Sequence, residues 1–239
     1  MATLSEENRE HFDTIATTCE NQGWQHVMDR IREETRKHKA WLGVNFVNEG
    51  EEGEGKRVVK VLDYACGPGT MAATIEPWAT EVRGVDVAPK MVEQFNARAK
   101  CRRDADPEMF AVVGDISPAE GPSASIAGED YHGFDLAVVG VALHHMHDSK
   151  LVLRRLAERV KVGTGVVFIV DVVPHAHHHT SAEHTVAHHG FSKEQMVDLM
   201  KGAGCRDVKY KVVCTSEVSG KEGKAMEMTV FFCRGTRER

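Results

Sequence analysis

VLDYACGPGTMAA, residues 61–73, reads as a short apolar strand that enters a glycine-rich turn and leaves it as a helix. That order sets backbone N–H groups and a helix N-terminus beside a ligand. Gly67 and Gly69 allow the main chain to approach the ligand where a side chain would collide. Taken alone, G-P-G-T-M-A also satisfies the dinucleotide-binding pattern, whose last position accepts alanine. A glycine turn after a strand also serves as a plain tight connection. The stretch sets the local architecture, and its neighbours have to name the ligand.

Outward from this turn, apolar strands alternate with amphipathic helices. Strands are predicted over 58–65, 81–87, 109–115, 134–143 and 165–173. Helices follow the first, second and fourth of them, at 70–78 (stopped by Pro77), 89–101 and 150–160. A helix capped by Ser192 runs to Gly202 and Gly204, and two last strands, 207–213 and 225–233, have little between them. Such alternation implies a mostly parallel sheet covered on both faces, closed by an antiparallel hairpin. Residues 121–133 read as a surface loop. Before the first strand, NEGEEGEGK at 48–56 is too acidic and glycine-rich to bury a core. Upstream of it, Leu4 to Glu20 forms one helix, and Trp24, Val27, Met28, Ile31, Thr35, Trp41 and Leu42 recur near helical spacing in a second. The chain divides into a helical extension (1–47), a flexible acidic loop (48–57) and one α/β domain (58–239).

Three acids then discriminate between ligands. Asp63 ends the first strand, four residues before Gly67, where a carboxylate would repel a pyrophosphate but suit an ammonium group. Asp86 ends the second strand, in reach of two ribose hydroxyls, a feature shared with dinucleotide-binding proteins. Asp115, in VVGDI (112–116), ends the third beside a small apolar residue, suited to an adenine amino group and ring face. Acids at three successive strand ends call for a ligand with donors and a cation, bound at the topological switch point of the sheet.

On these residues the chain resembles the class I S-adenosylmethionine-dependent methyltransferases. LDYACGPGT resembles the first motif of that family, GVDVAPKMVEQFNARA the second, VVGDI the third and FDLAVVGVALHHM the fourth, in the family's order over roughly 56–233. The resemblance implies the doubly wound, mostly parallel seven-stranded sheet of a Rossmann-like methyltransferase, with S-adenosylmethionine as cofactor and S-adenosylhomocysteine as product. It implies that Asp63, Ala65 and the Gly67/Gly69 turn hold the methionine part and that Asp86 binds the ribose. Val87 and Met91 would line the adenine, Asp115 and Ile116 meet its edge and face, and Gly140 touches the cofactor from the fourth strand. The (N/D)PP(Y/F/W) tetrapeptide of base and glutamine methyltransferases is replaced by Gly140-Val141-Ala142-Leu143. LHHM and the FDTIA start (12–16) resemble the small-molecule branch that includes quinone-biosynthesis enzymes, where the leading helices fold over the cofactor as a lid. Residues 1–47 read equally well as simple packing on the sheet.

The second unusual stretch, HAHHHTSAEHTVAHH (175–189), holds seven of the fourteen histidines. It follows the fifth strand, while His144, His145 and His147 follow the fourth, so in a parallel sheet both groups leave the ligand edge. A thiol or phenol must lose its proton to attack a sulfonium methyl, and imidazole accepts protons near neutral pH. His144 and His145 are therefore the expected catalytic bases, and His178, His188 and His189 the expected substrate-facing residues. His184 and His188 stand four apart, as two metal ligands on a helical face would. With no HExxH and no cysteine pair nearby, no metal is expected.

Bulk properties narrow the function further. The apolar runs 136–143 and 166–170 are far short of a bilayer span, so no membrane partner is expected. The start MATLSEENRE has no basic and apolar leader pattern. Six scattered cysteines form neither a disulfide framework nor a zinc pattern and fit a reducing, cytoplasmic setting. Thirty basic against thirty-six acidic residues, a net −6, disfavour bulk nucleic acid. The reading is methyl transfer to an O, S or N atom of a small-molecule acceptor by a monomer or homodimer. Its rivals are a methyltransferase of RNA or protein and a non-catalytic cofactor-binding module.

Overall fold

The computed structural model describes residues 3–16, 25–47, 57–101, 108–175, 183–219 and 225–239. His178, Trp24 and almost all of the acidic loop lie outside them. Seven strands make one sheet: β1 (Lys60–Tyr64), β2 (Glu81–Asp86), β3 (Glu108–Val113), β4 (Leu136–Gly140), β5 (Val166–Val172), β6 (Cys205–Ser219) and β7 (Ala225–Arg237). Their order is β3-β2-β1-β4-β5-β7-β6. The first five run parallel, and β7 is antiparallel to both β5 and β6. The expected doubly wound sheet and closing hairpin are both present.

Helices α1 (Leu4–Ala16) and α2 (Gln25–Lys37) precede the sheet; α3 (Thr70–Ile75), α4 (Pro89–Lys100), α5 (Ser149–Arg159) and α6 (Lys193–Gly202) accompany it. Each face of the sheet has its own core. One gathers Val27 and Ile31 of α2, Ile75 of α3 and Phe95 of α4. The other gathers Val152 and Leu156 of α5 and Met196 and Met200 of α6. Strand β5 is buried at every position because alternate residues feed the two cores, Phe168 one and Ile169 the other. Each fully buried phenylalanine, such as Phe95 or Phe168, contributes roughly 1.5–3 kcal/mol by leaving water.

Several boundaries differ from the sequence reading for identifiable reasons. β1 and β4 stop earlier because Ala65 and Val141 take φ of 54° and 55° and turn the chain out of the sheet. A β-branched residue at positive φ is strained, and here it stands at the ligand edge. Trp41 and Leu42 lie beyond the end of α2 on a separate 3-10 turn closed by Gly43 at φ 74°. α3 is only six residues, its continuation through Pro77 being a 3-10 turn. β6 and β7 outrun expectation at 15 and 13 residues, with register shifts in β6. The charges Arg206, Lys209, Lys211 and Glu217 blunt the open edge of β6. Residues 121–133 are pinned rather than loose: Ile126 and Tyr131 are buried, and Arg159 donates to the Ile126 carbonyl.

Candidate active site

A cavity of about 1000 Å³ opens at the carboxyl edge of β1, β2, β3 and β4, where strand order reverses. That is the switch point at which doubly wound sheets bind ligands. Its floor is the quoted turn. Ala65, Gly67 and Gly69 all have positive φ, which brings the Gly67 N–H onto Asp86 Oδ2 at 2.7 Å and the Gly69 N–H onto the Cys66 carbonyl at 2.9 Å. A Cβ at Gly67 would meet nothing within 4 Å, so the space above it is open. Gly69 serves packing instead: its Cβ would stand 2.8 Å from the Phe95 ring, and it does not line the cavity.

The three acids differ in what they already hold. Asp63 is buried; Oδ2 accepts the Ala72 N–H at 2.9 Å, while Oδ1 has no hydrogen-bond partner. Burial, aided by the nearby Asp86 charge, lifts its pKa to about 7. Asp86 accepts one backbone N–H on each oxygen, Ala88 at 2.9 Å and Gly67 at 2.7 Å. Burial pushes its pKa up, against the pull of those N–H donors. Asp115 is a node: Oδ1 accepts from the Tyr64 hydroxyl (2.9 Å) and the Ser117 N–H (2.7 Å), and Oδ2 from the Ser5 hydroxyl (2.6 Å). Ile116, expected at an adenine face, points into the core instead. Val87, Met91, Val113 and Gly114 line that part of the cavity. Gly140 lines it too, and the Met71 side chain lies across its α-carbon, 2.5 Å from where a Cβ would stand.

Helix α1 roofs the cavity. Ser5 reaches Asp115, the Asn8 amide donates to the His145 carbonyl at 3.0 Å, and Phe12 meets the His145 ring edge-on at 5.2 Å. Asp13 accepts the Lys90 N–H at the start of α4, and Gln94 donates to the Ala16 carbonyl. The only buried residue of α1 is the polar Asn8, so the helix is held by polar contacts rather than by an apolar stripe.

The structure separates the histidines. His145 and His147 line the cavity; His144 does not. His145 Nδ1 lies 2.9 Å from the Thr185 carbonyl, which can only accept, and 3.1 Å from the Thr185 hydroxyl, which can accept as well, so a ring proton on Nδ1 serves both and leaves Nε2 bare. Burial, then the His144 and His11 charges, holds its pKa well below the usual histidine range. His188 and His189 lie off the cavity: the Ala187 and His188 N–H groups close onto the His144 carbonyl, and buried His188 Nε2 has no partner. Among the described residues no group of three or more His, Cys, Asp or Glu could hold a metal ion.

Sequence reasoning gave no cofactor or catalytic part to Ser5, Asn8, Tyr64, Met71, Thr185 or Asp171. Two of these carried a signal. Tyr64 and Asp171 each put a polar group into an apolar strand, and buried polar groups need partners.

A doubly wound sheet with acids at three adjacent strand ends defines a nucleoside-binding Rossmann-like protein. Within that class, a family model described as a methyltransferase domain matches residues 14–210, and the chain belongs to that family. An uncharacterized methyltransferase of Schizosaccharomyces pombe is 27% identical over 156 residues, 62% of this chain and 54% of that protein. The chain thus spans about half the length of that relative. Among solved structures, a putative methyltransferase of Haloferax volcanii, in complex with the Trm112 methyltransferase activator, superposes with a TM-score of 0.61 at 16% identity, covering 95% of this chain and 98% of that one. Haemonchus contortus phosphoethanolamine N-methyltransferase 2, solved with S-adenosyl-L-methionine, gives 0.54 at 15% identity over 78% of this chain and 50% of that one. Both likenesses are of fold.

Proposed function

We propose that the chain transfers a methyl group from S-adenosylmethionine to an oxygen, sulfur or nitrogen atom of a small molecule, with His145 receiving the acceptor's proton. The observation that carries this reading is the pairing of Asp63, a buried carboxylate with one unpartnered oxygen, with a neutral imidazole in the same cavity. An ammonium group is the partner Asp63 lacks. The residues fit the nucleoside as well: each Asp86 oxygen keeps a lone pair for a ribose hydroxyl, the space above Gly67 is open, and Val87 and Met91 offer an apolar wall. Asp115 is expected to share its Oδ2 between Ser5 and an adenine amino group.

When bound, this cofactor supplies a methyl carbon whose bond to sulfur breaks with the electron pair left on sulfur. The chain's part is placement and proton removal. Leu4, Phe12, Met28 and Met146 line the same cavity as His145 with apolar side chains, Phe12 against its ring, and the lining carboxylates Asp148 and Glu6 each accept a local N–H, from Leu151 and Thr3. Neutral thiols and hydroxyls suit that site best. About 1000 Å³ is the upper end of the roughly 300–1,000 Å³ of small-molecule sites, which leaves room for an acceptor beside the nucleoside. We take α1 as a lid that excludes water during transfer.

The reading extends to a monomer or homodimer in the cytoplasm. It is supported by free thiols at every described cysteine and by the absence, among the described residues, of a helix long and apolar enough to cross a membrane. The test is release of S-adenosylhomocysteine when purified protein is offered thiophenol, catechol, small amines and bulk RNA. Turnover of a thiol or phenol is the expected result. Turnover confined to RNA would overturn the small-molecule reading.

A further inference from the structure

Asp171 sits in β5, VVFIVDV, where every residue is buried and Asp171 itself has no exposure. A carboxylate there is costly unless it is well satisfied. It accepts three N–H groups: His144 Nδ1 at 2.7 Å, His144 N at 3.1 Å and Val172 N at 2.7 Å. A carboxylate only accepts, so His144 carries its ring proton on Nδ1. The His144 ring then lies under the His145 ring, centroids 4.1 Å apart and planes tilted by 40°. Thr185, fully buried, sets its carbonyl 2.9 Å and its hydroxyl 3.1 Å from His145 Nδ1. None of Asp171, His144 and Thr185 lines the cavity.

We propose that Asp171, His144 and Thr185 are positioning residues for methyl transfer. Asp171 locks His144 as the floor beneath the His145 ring, Thr185 locks His145 as the Nδ1–H tautomer, and together they present Nε2 to the acceptor's proton. This rests on His145 as the base. Each neighbour then has its own part, with a fixed ring below, a fixed tautomer behind, and one nitrogen left for chemistry. Among the described residues, the other titratable group acting on His145 is His11 of α1, which itself meets His184 of the loop turn edge-on at 5.1 Å. His11 approaches from the lid side and His144 from the core side, so the two are separable by substitution.

The test uses the full chain with ¹⁵N-labelled histidine and long-range ¹H–¹⁵N spectra across pH 5.5–8. In the wild type both His144 and His145 are expected as Nδ1–H tautomers. In Asp171→Asn the single amide oxygen cannot accept both His144 N–H groups. The His144 ring is therefore expected to move its proton to Nε2, while His145 keeps its tautomer through Thr185. In His144→Gln the ring beneath His145 is lost while the Thr185 contacts remain, so His145 is expected to keep its Nδ1–H tautomer. Affinity for S-adenosylmethionine stays within about twofold in both variants, whereas turnover of thiophenol or catechol falls on the order of tenfold or more. A purely structural Asp171 would lower melting temperature and leave the ring signals alone. The proposal is overturned if wild-type His145 carries its proton on Nε2, or if a folded Asp171→Asn keeps both ring signatures. Should Asp171→Asn not fold, the wild-type spectra and His144→Gln decide it. His145→Ala separates the two levels: full turnover in that variant removes the base itself, independently of the tautomers.

Discussion

The Ser5 hydroxyl donates to Asp115 Oδ2 at 2.6 Å across 110 residues of chain. The contact ties the first turn of α1 to the end of β3, so one carboxylate serves both the roof of the cavity and its adenine end. Removing either partner should have different effects. Ser5→Ala frees Oδ2 for the ligand, so its affinity for S-adenosylmethionine should stay within about threefold, while hydrogen exchange in 3–16 speeds up as roughly 1 kcal/mol of docking is lost. Asp115→Ala also strands Tyr64 and the Ser117 N–H and should weaken binding at least about tenfold. Calorimetric titration and exchange mass spectrometry read both; equal affinity losses in the two variants would remove Asp115 from the adenine contact.

Asp86 should be the least replaceable acid. Its side chain holds the Gly67 N–H and the Ala88 N–H, so it shapes the glycine turn before any ligand arrives. Asp86→Ala leaves the buried Ala88 N–H unpaired, at roughly 1–3 kcal/mol, frees the part-buried Gly67 N–H and removes the ribose acceptor. A loss of affinity of about a hundredfold is expected, with a lower urea midpoint. Unchanged affinity in a folded Asp86→Ala would end the ribose assignment.

Asp63 makes both stability and binding depend on pH. Its folded pKa of about 7 lies above the ordinary 3.8. The folded state therefore holds more protons than the unfolded chain between these values, and its contribution to stability is lost as pH rises from about 4 to about 7. At pH 8 the ionised, half-satisfied carboxylate costs on the order of a few kcal/mol, so Asp63→Asn should melt higher than wild type there, with the difference vanishing near pH 4. A cationic ligand favours the ionised form, so wild-type affinity should strengthen from pH 6 to 7.5 and that of Asp63→Asn should not. A flat wild-type profile would count against the ammonium contact.

The two turn glycines should fail in different ways. Gly67→Ala adds a methyl to open space at φ 50°, a strain of roughly 1 kcal/mol, but places it where the ligand belongs. Gly69→Ala drives a methyl to within 2.8 Å of Phe95 at φ 91°. That overpacks a core, typically at about 1–3 kcal/mol beyond the backbone strain. Affinity should fall more for Gly67→Ala and stability more for Gly69→Ala, read by titration and urea melts. The reverse ranking would refute the division of roles.

The sequence alone determined the alternation of strands and helices, the glycine turn and the row of acids at strand ends. These are local patterns: hydrophobic period, turn chemistry and residue type are written within a few positions of one another. It also sent the loops after β4 and β5 to one edge of the sheet, because parallel connectivity forces both to the same side. Only the tertiary structure decided which histidines face the cavity. His144 and His145 are neighbours of identical chemistry, distinguished by Asp171 on one and the Thr185 carbonyl on the other, 27 and 40 residues away. It likewise decided that Ile116 and Gly69 serve the core and that a polar first helix roofs the site. Such partners are set by how remote segments share space, which no short-range pattern records.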